Sequence, residues 1–214
     1  MNNSANNKRI AKNTILLYVR MLFLMCISLY TSRIILEALG VEDYGIYNVV
    51  GGIVSMFIMI SGSLSAAISR FITFELGKEN IEQLKKVFSS SVTIQIFISI
   101  IFVIIAETLG VWFLNKHIII PEERLFAANW VFQFSILTFV INLISIPYNA
   151  VIIAYEKMGA FAIIAILEAI LKLILAYTIY YSPIDRLIYY AFFLALISVI
   201  IRLIYGVYCT RKFI

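Results

Sequence analysis

The sequence predicts an all-α membrane protein, a single bundle of six helices crossing a bilayer with both chain ends on the cytoplasmic side. Three observations carry this prediction. Hydrophobic residues make up 63% of the 214-residue chain and charged residues only 14%, against about 45–50% and about 25% in soluble domains. The apolar residues gather into six stretches, each long enough to cross hydrocarbon, for which about 20 helical residues suffice. Lysine and arginine are shared unequally between alternate gaps. A bilayer solvates apolar side chains but offers backbone groups no partner, which leaves only helices and closed barrels. Barrel strands are short and alternate in polarity. Runs such as 97–105 and 160–167 are continuous, which favours helices.

The expected spans are 14–36, 46–72, 88–114, 125–153, 160–181 and 186–208. The first follows the basic residues Lys8, Arg9 and Lys12. No small-residue cleavage site ends its apolar core, and the run continues through Arg33 to Leu36, so it reads as a retained span and not a secretory leader. Gly40 and Gly45 flank an acidic turn, Val41 to Tyr44. Span two is expected to bend at Ser61, Gly62 and Ser63. Its Ser61, Ser65 and Ser69, with Gly62 and Ala66, form a small-residue stripe suited to close helix packing. Asn80 with Gln83 reads as a capping box that opens a short helix running into span three. Pro121 and Pro183 mark new helix starts, with Ser182 as an N-cap. Several spans exceed a perpendicular crossing, so tilt or bending is expected.

Basic residues set the direction. One side collects the amino terminus, the gaps at 73–87 and 154–159, and the carboxy-terminal end. It holds eleven: Lys8, Arg9, Lys12, Arg70, Lys78, Lys85, Lys86, Lys157, Arg202, Arg211 and Lys212. The other side holds four (Arg33, Lys116, Arg124, Arg186), and its first gap carries Glu37, Glu42 and Asp43. Short basic loops stay in the cytoplasm, which puts both ends there. The net charge of +5 is therefore a topology signal and gives no support to nucleic-acid binding.

Several function classes find no residues to support them. The chain has no phosphate-cradling Gly-Lys-Ser/Thr loop, no paired-histidine metal motif and no nucleophile elbow, so neither an enzyme nor a cofactor is expected. Cys26 and Cys209 are far apart, lack metal-ligand spacing and are not expected to pair. His117, the single histidine, reads as a solvated loop residue.

The informative residues are polar ones inside the spans. Arg20 lies about two turns into span one; Glu168 and Lys172 share one face in the middle of span five, acid before base. Gln95 lies at similar depth in span three, and Gln133 and Asn142 add polar groups to span four. Counted from the cytoplasmic ends, Arg20, Gln95 and Glu168 fall at roughly 9–12 Å depth, with Lys172 nearer the midplane. Four such groups on three helices are expected to line a shared cavity, a pathway for a charged or sugar-bearing substrate. A central charge costs about 2.5–3.5 kcal/mol to insert and so marks a functional position by default. The plainer alternative has Arg20 snorkelling to headgroups and Glu168 merely neutralising Lys172. Glu107 reads as interfacial. Tyr44, Tyr47, Tyr180, Tyr181, Tyr189 and Tyr190 fit an outer aromatic belt.

The block Leu39-Gly-Val-Glu-Asp-Tyr-Gly-Ile-Tyr47, within Ser32–Gly52, and the stretch Arg70-Phe-Ile-Thr-Phe-Glu-Leu-Gly77 carry a family likeness. Ile146-Pro-Tyr-Asn-Ala150, Tyr155-Glu-Lys-Met158 and Tyr208-Cys-Thr-Arg211 extend it over essentially the whole chain. In these the sequence resembles the amino-terminal half of bacterial polysaccharide and O-antigen (lipid-linked oligosaccharide) flippases. These belong to the multidrug/oligosaccharidyl-lipid/polysaccharide exporter superfamily. The resemblance implies two six-helix lobes facing a central cavity in the bacterial inner membrane. It also implies alternating access, which moves a polyprenyl-diphosphate-linked saccharide outward for polysaccharide or lipopolysaccharide biosynthesis. Cavity cations attracting the diphosphate or an acidic glycan would map onto Arg20 and Lys172, with Arg33 and Arg70 weaker because they lie near span ends. This chain carries six spans where the family has two bundles. A fragment of a longer chain is therefore expected, with a second copy or a partner chain as the other source of the missing lobe. Two further readings stay open. One is a cation-coupled drug antiporter of the same superfamily, for which Glu168 is the midplane acid. The other is a non-transporting membrane half-protein.

Overall fold

The computed structural model describes residues 3–213, apart from the side chains of residues 3–10, 12 and 58–60. The basic side chains of Lys8, Arg9 and Lys12 thus lie outside the described residues. The protein is all-helical; among the described residues there is no strand. The first element, α1 (Asn3–Ser55), has 53 residues. Unbroken, it would run about 80 Å, far beyond the roughly 30 Å hydrocarbon core. It breaks at Gly40, whose φ of 83° and ψ of 169° lie in a region essentially reserved for glycine. The first arm runs with α6 (Met158–Thr178): Arg20 lies on Phe161 and the Tyr30 and Tyr177 hydroxyls meet at 2.8 Å. The second arm runs with α5 (Glu122–Ala154) and α7 (Arg186–Lys212). Asp43 meets Arg124, Tyr47 packs on Tyr190, and Phe57 on Phe139. The chain therefore reverses at Gly40. The acidic residues after it are already helical, so one glycine makes the turn and Gly45 is not needed for it.

The next break falls at Met56 and Phe57, before α2 (Ile58–Gly77). It precedes the expected bend at Ser61–Ser63, which is continuous helix. Nor does the small-residue stripe make the helix contact. Gly62 and Ala66 are exposed, and α2 instead buries Ile68 and Ile72. Asn80 caps α3 (Ile81–Ile105) as expected, accepting from the Gln83 amide at 3.0 Å. A π-helical turn, Ala106–Gly110, then joins α3 to α4 (Val111–His117) as one rod. Gly110 at its end packs tightly on α5: a Cβ there would stand 2.5 Å from the Phe132 ring. His117 ends that rod with its ring against Trp112 and Phe113, at 4.6 and 5.5 Å, and not as a bare loop residue. At the start of α7 the cap is Asp185, which accepts from the Leu187 and Ile188 amides. Ser182 instead closes a local turn, donating to the Ile184 carbonyl at 2.8 Å.

Among the described residues, five helical segments are long and apolar enough to cross a membrane: 13–55, 81–117, 122–154, 158–181 and 186–212. The first contains the Gly40 reversal. The expected span 46–72 is divided between the second arm of α1 and α2. Four serines and Arg70 dilute the apolar character of α2.

The connections fall at two ends. Gly40, Arg124 and Asp185 share one, where Arg124 pairs with both Asp43 and Asp185 and Arg186 donates to the Ala38 carbonyl at 3.1 Å. At the other end Tyr155 stacks on Phe213 at 4.3 Å. We name the first the outer end, after the charge distribution of the loops. Helix α5 is central, packing on α7, α2, α3 and the second arm. It buries Ala128, Val131, Phe132, Ala150, Val151 and Ile152 completely. Lipid is as apolar as leucine, so this burial stabilises through packing contacts and not through exclusion from water. Pro147, fully buried in the last two turns of α5, interrupts the helix ladder by removing one backbone donor.

Candidate functional site

Glu168 and Lys172 are one turn apart on α6, and Lys172 Nζ donates to Glu168 Oε1 at 2.6 Å. Neither is sealed in: their side chains are 35% and 43% exposed. Two cavities meet at this pair. One, of about 360 Å³, lies between the first arm of α1 and α6; it is lined by Arg20, Ser28, Thr31, Ser32, Glu168 and Tyr190, among others. The other, of about 230 Å³, lies between the second arm, α5, α6 and α7; Tyr47, Phe134, Thr138, Asn142 and Ser198 contribute to its wall. Lys172 lines both.

Arg20, Glu168 and Lys172 are thus brought to one cavity, and Asn142 to its neighbour. The Arg20 guanidinium sits over the Phe161 ring, 4.2 Å from its centroid, and its Nε is buried without a hydrogen-bond partner. A ring face attracts a cation yet leaves its N–H edge available for an anion, which a carboxylate partner does not.

Gln95 is elsewhere. It is fully buried and lines neither cavity; both of its amide atoms lack a hydrogen-bond partner. It belongs to a buried polar row with Ser91 and Ser99 on α3, whose partners are α2 and α5. Depth along the helix was the same as for Arg20; the face was different. Arg33 is 77% exposed and pairs with Glu37 at 3.0 Å, outside both cavities. Arg70 is exposed on α2. Glu107 is exposed and accepts from Gln133 Nε2 at 3.1 Å. Cys26 and Cys209 are both free thiols.

The structure adds residues that the sequence reading assigned otherwise. Tyr47 and Tyr190, read as belt residues, pack edge to face at 4.9 Å in the interior, each walling one cavity. Arg202, read only as a cytoplasmic charge, lies over the Tyr148 ring at 3.6 Å with its Nε buried and unpartnered. Gly206 makes room for it: a Cβ there would stand 3.0 Å from Arg202 Nη1. Depth alone flags Arg202, since it precedes the end of α7 by ten residues, about 15 Å. Arg124 ties three helix ends together at the outer end by bridging the buried Asp43 to Asp185.

Apolar helices long enough to span a bilayer, folded around a cavity lined by charged side chains, define a multi-pass membrane protein with a polar interior, the build of a transporter. A family model described as MatE matches residues 14–178, well over half of the chain. The chain belongs to the MatE family, within the multidrug/oligosaccharidyl-lipid/polysaccharide superfamily, whose members are transporters and not enzymes. No curated protein and no solved structure matches it.

Proposed function

We propose that the protein forms one lobe of a transporter that moves a lipid-linked, polyprenyl-diphosphate saccharide across the bacterial cytoplasmic membrane, for O-antigen or other polysaccharide synthesis. One observation carries the reading. The cavity holds two cations, Arg20 and Lys172, against a single acid, Glu168, and that acid is already paired to Lys172. Arg20 rests on a ring instead of a carboxylate. The surplus charge suits a diphosphate. Oxygen acceptors on phosphate pair with guanidinium in two-point geometry, and a low-dielectric surround strengthens the attraction. A drug-cation antiporter needs an acid free to exchange its cation, and Lys172 occupies the one acid present in the cavity.

The Leu39–Tyr47 block supports the same reading through its resemblance to flippases, and its Asp43 anchors the Arg124 bridge. The facing wall of the pathway would come from a second lobe, a second copy or a partner chain. Large apolar side chains along the first arm, among them Ile15, Tyr18, Leu22 and Leu29, are exposed and open to such a partner or to lipid.

Complementation of a flippase-deficient strain tests this. Arg20→Ala and Lys172→Ala are expected to lower surface-glycan export at equal protein level. Unchanged export in both variants removes the cationic-cavity mechanism. Ion-driven efflux of a cationic dye that is abolished by Glu168→Gln would instead establish the antiporter.

A further inference from the structure

We infer that α5 carries a saccharide-binding rail that receives the sugar from the cavity beside Glu168 and Lys172 on its way to the outer end; this rests on the saccharide reading above. Phe126, Trp130 and Phe134 follow one another at four-residue steps. Their ring centroids are 6.3 and 5.6 Å apart, and the Trp130 and Phe134 planes lie within 28° of parallel. Phe126 and Trp130 are 69% and 43% exposed, whereas Phe134 lines the 230 Å³ cavity. Trp130 lies eight residues, about 12 Å, beyond the start of α5 at Glu122. Helix α5, about 50 Å long, overhangs the roughly 30 Å hydrocarbon core, so Trp130 falls near its outer edge and Phe134 one turn further in.

Beyond Phe134 the wall turns polar. Thr138 donates its hydroxyl hydrogen to the Phe134 carbonyl at 2.8 Å, Ser198 to the Leu194 carbonyl at 3.1 Å, and Ser55 to the Gly52 carbonyl at 2.8 Å. With their hydrogens committed to backbone, these hydroxyls present acceptor lone pairs to the cavity they line. Asn142 adds an amide with both donors and an acceptor.

A pyranose ring has complementary chemistry. Its axial C–H bonds form a weakly positive face that suits the negative face of an aromatic ring. Its hydroxyls supply the donors that Thr138, Ser198 and Ser55 accept. An organic cation would also bind the rings through cation–π attraction, but it would then meet Lys172 in the same cavity.

The chain has two tryptophans, so Trp112→Phe leaves Trp130 as the one fluorescent reporter. The full chain in lipid nanodiscs is titrated with three probes: a ten-carbon prenyl-diphosphate disaccharide, the same prenyl diphosphate without sugar, and tetraphenylphosphonium. Affinity is measured independently by calorimetry. The disaccharide probe is expected to change Trp130 emission saturably, while the sugar-free probe binds without changing it. Trp130→Ala is expected to weaken the disaccharide probe about tenfold, with Trp130→Phe within about twofold, in line with the worth of one aromatic contact. Thr138→Val, which keeps the side-chain shape, provides a second variant should Trp130→Ala not fold, and it too is expected to weaken only the sugar-bearing probe. Equal binding of both diphosphates, unaffected by either substitution, overturns the rail while leaving the flippase reading intact. Binding of tetraphenylphosphonium alone overturns both.

Discussion

Gly110 shows how little slack the bundle has at the level of single residues. Its α carbon faces the Phe132 ring so closely that a methyl group would reach 2.5 Å from Cζ. Phe132 is fully buried, so its ring has nowhere to retreat. Gly110→Ala should lower stability in detergent by about 1–3 kcal/mol, the usual cost of overfilling a packed site. Gly62→Ala is the control: it has open space around it and should be neutral or stabilising by up to about 1 kcal/mol. Equal thermal-unfolding shifts for the two would show that the contact is not tight. Gln95 invites the opposite substitution. Its buried amide has no hydrogen-bond partner, a condition that costs about 1–3 kcal/mol. Gln95→Leu should therefore raise the unfolding temperature and leave transport unchanged, because the side chain lines neither cavity. Lost transport in a well-folded Gln95→Leu protein would place it on the pathway after all.

Among the described residues, the ion pairs that join different helices lie at the outer end. Arg124 at the head of α5 bridges Asp43, just after the Gly40 reversal, to Asp185, the cap of α7. Removing the arginine strands a carboxylate whose side chain is only 7% exposed. Breaking a fully buried pair costs about 3–5 kcal/mol. Arg124 is 31% exposed and partly screened, so Arg124→Leu should cost about 1–3 kcal/mol. The expected signature is local: a cysteine placed at residue 38, where Ala38 is 1% exposed, becomes reactive to a membrane-impermeant thiol reagent in Arg124→Leu before global unfolding. Unaltered reactivity would mean that the three helix ends are fixed by packing alone. The Glu168–Lys172 pair differs from this cluster. It joins two residues of one helix and fastens nothing together, which is consistent with a role toward the cavity.

For the molecule as a whole, orientation is the property with the widest consequences, since it decides which end of the cavity opens to the cytoplasm. The loop charges place residues 78–80, 155–157 and the carboxy terminus inside, and 118–121 and 182–185 outside. A reporter active only in the cytoplasm, fused after residue 157 or at the carboxy terminus, should give signal; fused at residue 119 it should give none. The inverse pattern would reverse the assignment and turn the aromatic rail of α5 toward the cytoplasmic leaflet.

Helicity, membrane residence and the positions of most breaks follow from local chemistry written along the chain. A run of twenty apolar residues has no other stable form in hydrocarbon, and Asn80 caps its helix through an atom only three residues away. Depth, too, is a matter of counting. What counting does not supply is azimuth, the side of the helix that a residue presents once its neighbours have chosen their faces. Gln95 and Arg20 lie at the same depth, yet one is buried against α2 and α5 and the other lines the cavity. Tyr47 and Tyr190 look like interface residues until two distant helices bring them together 143 positions apart. Helices in lipid choose partners by fit, and fit depends on shapes such as the Gly110 notch that only the assembled bundle reveals. The sequence by itself determined a charged, helical membrane bundle; only the tertiary structure decided which of its charges share a cavity.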